Sequence, residues 1–262
     1  MFPVTVTGIP PATQLGVALD NGDEWAVPEE TPVALVYGRR NHAVMLATPA
    51  DLPDFAVGFS LTEGIIEAVA DLEVLDIHYL KQGIDLRMQL KERCQHRLDL
   101  RQRRRTLPGN AGCGLCGIDS TEELFTPLKP VADRTCTLDP AAVKRAFDEL
   151  PAYQPLNAAT HTVHAAAWAG PEGDIRLVRE DVGRHNALDK LLGALAMRNA
   201  DCKDGFVVMS SRCSYEIVQK AARMGVGAIA CLSAPTAFAV RKAKEARIAI
   251  HVRDEDGSAA II

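Results

Sequence analysis

The chain lacks any apolar run long enough to span a bilayer, which excludes a helical membrane protein. Its N-terminus, Met1-Phe2-Pro3-Val4-Thr5, has no basic region followed by an apolar core, so no signal peptide is read there and a cytoplasmic location is expected. A disulfide framework is missing too. The cysteines number seven, an odd count scattered through 262 residues, which fits free thiols in a reducing compartment. Positive charge is not in excess: the formal net charge is −5, against non-specific nucleic-acid binding by the whole chain. There is no P-loop and no G-x-G-x-x-G, so ATP hydrolysis and ordinary dinucleotide binding are not expected. Internal repeats and low-complexity tracts are absent as well.

What is present reads as a two-part α/β chain, α+β overall, with the boundary at Pro127 to Pro130. Residues 1–130 make a smaller α+β domain. Its first dozen residues, with Pro3, Pro10 and Pro11, read as a loosely ordered lead-in. Thr13–Leu19 and Trp25–Val27 flank an Asp20-Asn21-Gly22-Asp23 turn, and Pro32–Tyr37 and His42–Ala47 flank a second turn at Gly38, so two hairpins are predicted. A helix follows over Phe55–Leu61, with Asp51 or Asp54 as its cap, then strands over Val74–Leu80 and Ile84–Leu90. In residues 131–262, Asp139-Pro140 opens a helix to Leu150. Apolar strands then alternate with helices to the end, one of them capped by Asp181, and a largely parallel, helix-covered sheet is predicted.

Gly112-Cys113-Gly114-Leu115-Cys116-Gly117 is the most distinctive segment. Glycine loses more backbone entropy on ordering than any other residue, so such a run serves access to the sulfurs rather than stability. The basic run of Arg101 and Arg103 to Arg105 lies just upstream and favours thiolate over thiol. The pair admits a redox dithiol, half of a zinc site, a sulfur-carrying thiol with a neighbour, or two small packed residues. Zinc would need His161 and His164 as its other ligands, far away in sequence. A thioredoxin-like motif would need a helix starting at once, and glycine follows each cysteine here. Cys94, Cys136, Cys202, Cys213 and Cys231 read as packed or idle, with Cys213, beside Arg212, the one open to reactivity.

Three polar stretches follow strand-like runs in the back half. Asp181 to Lys190 places Arg184, His185 and Lys190 at a helix N-terminus, which suits a phosphate, or else is the charged outer face of a capped amphipathic helix. Ser210-Ser211-Arg212 and Ser233-Ala234-Pro235-Thr236 both precede helices, at the sheet edge where ligands bind in open α/β folds. Each alone reads as a plain N-cap. Together, Arg184, His185, Ser211, Arg212 and Thr236 point to a large phosphorylated anion.

These segments resemble the formate dehydrogenase accessory sulfurtransferase family, FdhD. The resemblance is carried by Gly112 to Gly117, by Arg179-Glu180-Asp181-Val182-Gly183-Arg184-His185-Asn186-Ala187-Leu188-Asp189-Lys190, by Ser210-Ser211-Arg212 and by Leu61-Thr62-Glu63-Gly64-Ile65-Ile66. It implies a homodimeric sulfur carrier in which Cys113 and Cys116 take persulfide sulfur from a cysteine desulfurase. The sulfur then passes to the molybdenum (or tungsten) bis-guanine-dinucleotide cofactor of formate dehydrogenase, with no permanently bound metal. It implies a cytidine-deaminase-like α/β/α sandwich for the back half and a cofactor-binding segment at His251, Val252, Arg253, Asp254, Glu255 and Asp256, which is unusually acidic here. His164 matches the family's histidine and His161 is additional. Deaminase chemistry is not expected. Zinc deaminases need His-x-Glu and a later Pro-Cys-x-x-Cys, whereas Ala165-Ala166 follow His164 and the cysteine pair precedes it.

Overall fold

The computed structural model describes residues 2–103, 127–131, 138–255 and 259–260. The Cys113/Cys116 segment, Cys136 and Asp256 lie outside the described residues. Two sheets carry the fold, and helices fill the space between them.

The first sheet has the order β1-β6-β7-β4-β5: β1 (Val4–Thr7), β4 (Thr31–Tyr37), β5 (Arg40–Ala47), β6 (Leu72–Leu80) and β7 (Gly83–Leu90). The predicted β4–β5 hairpin is present, and the two strands predicted over Val74–Leu80 and Ile84–Leu90 pair as a further antiparallel hairpin, β6–β7. β2 (Gln14–Ala18) and β3 (Glu24–Pro28) form a separate antiparallel hairpin. The lead-in is more ordered than its prolines suggest, because β1 pairs in parallel with β6 from Val4↔Leu75 to Thr7↔His78.

One face of this sheet is covered by α1 (Leu52–Thr62), in which every residue but Pro53 is buried. A helix apolar on all sides needs neighbours on all sides. Phe55 and Phe59 face the first sheet, and the opposite side packs on α5 (Arg184–Met197). The expected cap is not made. Asp51 sits in a left-handed conformation (φ 53°) with no side-chain bond to the helix, and the Asp54 carboxylate instead takes the Arg179 guanidinium at 2.6 Å.

The second sheet has the order β13-β12-β11-β10-β8-β9: β8 (His164–Ala169), β9 (Ile175–Asp181), β10 (Phe206–Arg212), β11 (Ala228–Ser233), β12 (Ala249–Val252) and β13 (Ala259–Ala260). It is mixed rather than largely parallel. Only β10–β11 and β11–β12 pair in parallel, while β8–β9, β8–β10 and β12–β13 are antiparallel. The turn between β8 and β9 is too short for a crossover, so those strands must run in opposite directions.

α3 (Pro140–Glu149) covers one face of this sheet through Ala142, Val143, Ala146 and Phe147. Asp139 caps it by accepting the Ala141 N–H at 2.9 Å, and Lys144–Asp148 and Arg145–Glu149 pair along its wet side. α5, α6 (Tyr215–Arg223) and α7 (Ala237–Ala246) cover the other face. The back half is thus a three-layer α/β/α sandwich, joined to the front sheet by α1 lying on α5. Two further helices, α2 (Gln95–Arg103) and α4 (Pro155–Thr160), lie outside these layers.

Candidate functional site

Chain direction places one set of residues together. The parallel strands β10, β11 and β12 end at the same edge of the second sheet. β9 also ends there, and β8, which runs the other way, begins there. His164, Asp181, Arg212, Ser233 and Val252 therefore mark a single rim, with the N-termini of α5, α6 and α7 rising beside it. That is the edge where α/β sheets bind ligands.

The polar run from Arg179 to Lys190 divides into two roles at this rim, and most of it holds the two halves of the molecule together. Asp181 is fully buried and does not cap α5 (its N-cap is Gly183). Its carboxylate accepts the Thr48 and Gly183 N–H groups at 3.0 and 2.8 Å and pairs with the buried Lys190 at 2.6 Å. Asn186 donates to the Leu46 carbonyl at 2.8 Å. Asp189 receives the Thr62 hydroxyl at 2.7 Å and Lys220 at 2.8 Å. Burial on its own would depress Lys220, but the Asp189 and Glu63 carboxylates outweigh it and push the ammonium up. Glu180 accepts the Leu156 and Asn157 N–H groups at 2.9 and 2.8 Å, closing the N-terminus of α4. Neither sequence reading of this run is met in full. Lys190 is structural, and only Arg184 and His185 are left facing the rim.

Those two residues open α5. No side chain among the described residues caps its first turn, so N–H groups and the positive end of the helix dipole face outward there. Neither the Arg184 nor the Arg212 guanidinium has a hydrogen-bond or ion-pair partner among the described residues, and Arg184 Nε is buried with none. Burial and the neighbouring Arg212 both hold the Arg184 guanidinium below its usual range, with Glu216 opposing them. Two close, unpaired guanidinium groups repel each other, and a dianion between them removes that repulsion. His164 stands beside this pair. Burial, Arg184 and His185 lower it, so it is neutral near pH 7.

His185 Nε2 lies 3.4 Å from Ser214 Oγ and 3.6 Å from Glu216 Oε2. Sequence reasoning passed over Ser214 and Glu216; a Ser-x-Glu at the strand-to-helix junction was their only signal. Ser211 is buried and donates to the Arg212 carbonyl at 3.1 Å. Thr236 spends its hydroxyl on α7, accepting the Ala239 N–H at 3.2 Å. Thr236→Ala should therefore cost about 1 kcal/mol of stability, visible as a lower midpoint in urea unfolding.

The C-terminal segment spreads out. His251 is buried inside the sheet, lowered by that burial, with Nδ1 unpartnered among the described residues. Val252 is half-buried against the core, Arg253 pairs with Asp148 at 3.0 Å, and Asp254 and Glu255 are exposed. Cys213 is fully buried beside Cys231, so it is not the accessible thiol its sequence neighbours suggested. Cys213 and burial together raise Cys231 well above the ordinary thiol range. Among the described residues no three His, Cys, Asp or Glu side chains are grouped to hold a metal ion, and no helix is long and apolar enough to cross a membrane.

The sequence profile of the FdhD/NarQ family matches residues 28–258. The chain belongs to the FdhD/NarQ family. Its relatives include the protein named sulfur carrier protein FdhD in Chromobacterium violaceum, 48% identical over 226 residues, covering 86% of this chain and 83% of that one. The protein of the same name in Bordetella petrii is 47% identical over 234 residues, with 88% and 83% covered. A crystal structure described as a formate dehydrogenase accessory protein from Desulfotalea psychrophila shares the fold, with TM-score 0.69, 24% identity and 94% of each chain covered. In this FdhD/NarQ chain the family match begins at the last residue of β3, so β1 and β2 stand outside it.

Proposed function

We propose that this protein is a sulfur carrier that delivers persulfide sulfur from Cys113 or Cys116 to a phosphorylated pterin cofactor seated on the rim. A cysteine desulfurase is the donor, and the acceptor substrate is the molybdenum (or tungsten) bis-guanine-dinucleotide cofactor destined for formate dehydrogenase. The protein works as a homodimer in the cytoplasm. One observation carries the reading: the Arg184 and Arg212 guanidinium groups stand unpartnered, among the described residues, at the uncapped N-terminus of α5. Two pyrophosphates per acceptor match that demand for negative charge.

The chemistry balances without an outside reductant. With Cys113 carrying the sulfane sulfur, a Cys116 thiolate attacks Cys113 Sγ. The Cys113–Cys116 disulfide forms, the persulfide S–S bond breaks, and hydrosulfide leaves carrying the electron pair. Two thiols are oxidised and the sulfane sulfur is reduced to the sulfide level.

Intact-mass measurement after incubation with a desulfurase and cysteine tests the reading. Wild type should gain one sulfur atom, removed by cyanide, and the Cys113→Ala/Cys116→Ala double variant should gain none. Arg184→Ala/Arg212→Ala should still load sulfur but activate formate dehydrogenase at least tenfold less. Normal activation by the double cysteine variant would sink the sulfur-carrier reading, and normal activation by the double arginine variant would sink the rim as its acceptor site.

A further inference from the structure

We propose that the β2–β3 hairpin is a docking arm that seats on the open β5 side of the first sheet in a second copy of this chain, the two copies exchanging arms reciprocally. The proposal rests on the homodimer reading above and names the surfaces that make the contact. β2 and β3 form a two-stranded sheet of their own, with β3 resting on α4. A lone hairpin is marginal in water unless something packs against it. Leu15 pairs with Val27 and Val17 with Trp25, which puts these four apolar side chains on one face. Leu15, Val17 and Trp25 are nevertheless 51%, 46% and 49% exposed. The Glu24 side chain lies across Gly16 on the opposite face, so no charge interrupts the apolar one.

The second surface belongs to the first sheet, whose other face is the one under α1. Val44 and Leu46 of β5 are 62% and 53% exposed, beside Ala34 and Pro32 of β4. β5 is also an end strand of that sheet, and such an edge invites a further strand. Charge favours the match. Residues 1–30 contain Asp20, Asp23, Glu24, Glu29 and Glu30 and no Lys, Arg or His, which accounts for the whole formal net charge of −5. Residues 31–47, which hold β4 and β5, contain Arg39, Arg40 and His42 and no acidic residue. Arg40 pairs with Asp99 and His42 is buried, while Arg39 is exposed and makes no ion pair among the described residues. Both surfaces keep their exposure within one chain, so neither covers the other there. A chain that carries both halves of a complementary contact meets the missing half on every other copy. Two such contacts, made reciprocally, close as a twofold dimer.

Sedimentation velocity of the full chain over a dilution series reads the contact. Wild type should be a dimer. Trp25→Ser on the arm and Val44→Glu on the edge should each weaken it at least about tenfold. Val44→Lys should weaken it less than Val44→Glu, because the arm is acidic. An equimolar mixture of Trp25→Ser and Val44→Glu should associate more tightly than either alone, since one of its two contacts is wild type on both sides. Should Trp25→Ser not fold, Val17→Ser on the same face carries the comparison. A dimer that either folded variant leaves unchanged overturns the proposal while sparing the homodimer. So does a mixture no tighter than its components, or greater damage from Val44→Lys than from Val44→Glu. An arm variant that loses formate dehydrogenase with its dimer intact gives the arm another partner and overturns it too. A monomeric wild type overturns both readings.

Discussion

Lys190→Ala should lose about 3–5 kcal/mol of stability, the largest single-residue effect expected from any polar side chain in this protein. Lys190 is fully buried, 2.6 Å from Asp181, and donates to the Thr48 carbonyl at 2.9 Å. Truncation removes the only cation on the Asp181 carboxylate among the described residues and leaves that charge uncompensated in the interior. The partners belong to both halves, since Thr48 follows β5 and Asp181 ends β9, so the loss also loosens the junction between the sheets. Urea unfolding measures it. Removing both charges, as Lys190→Met/Asp181→Leu, should recover only part of the loss. The Thr48 and Gly183 N–H groups lose their acceptor in that variant too. A Lys190→Ala protein within 1 kcal/mol of wild type in roughly the same urea range would show that the pair does not lock the junction.

Gly193→Val should be at least as damaging through packing alone, by about 3 kcal/mol or more, with poor soluble yield. α1 crosses α5 where Gly58 and Gly193 face one another. A methyl group on Gly193 would sit well inside contact distance of the Asp54 carbonyl oxygen, and one on Gly58 would strike the Asp189 carbonyl oxygen. Both obstacles are backbone, so no rotamer change relieves them and the helices must separate. Separation would also stretch Thr62–Asp189–Lys220, which bridges the same seam, and the Arg179–Asp54 pair that ties α1 to β9. Thermal unfolding of Gly193→Ala and Gly193→Val gives a graded series, and equal midpoints for all three proteins would contradict this account of the crossing.

Local signals carried much of the fold. The hairpins were legible in their Asp-Asn-Gly and Gly38 turns, and α3 in Asp139-Pro140 followed by a stripe of Ala142, Val143, Ala146 and Phe147. β1 was not, because its pairing with β6 is made some seventy residues away and nothing nearby announces it. The direction of β8 and β9 was legible and misread: Gly170-Pro171-Glu172-Gly173 between them already ruled out a parallel pair. Asp51 and Asp54 looked like caps because acidic residues before an apolar run usually are. Asp54 found a stronger partner in Arg179, which lies 125 positions further along the chain.

For the site, the sequence alone established which chemistries were available: thiols among glycines, and basic and hydroxyl residues after apolar strands. It also established the family, through the extended Arg179–Lys190 run and the cysteine segment. Tertiary structure decided which members of that run meet a ligand. Helical periodicity tells which residues share a side but not what covers that side, and α5 is covered from two directions, by its own sheet and by α1. Asp181, Asn186, Asp189 and Lys190 therefore ended as partners for Thr48, Leu46 and Thr62 of the front half. Arg184 and His185, in the uncapped first turn, were left half-buried at the rim, on the side an anion would approach.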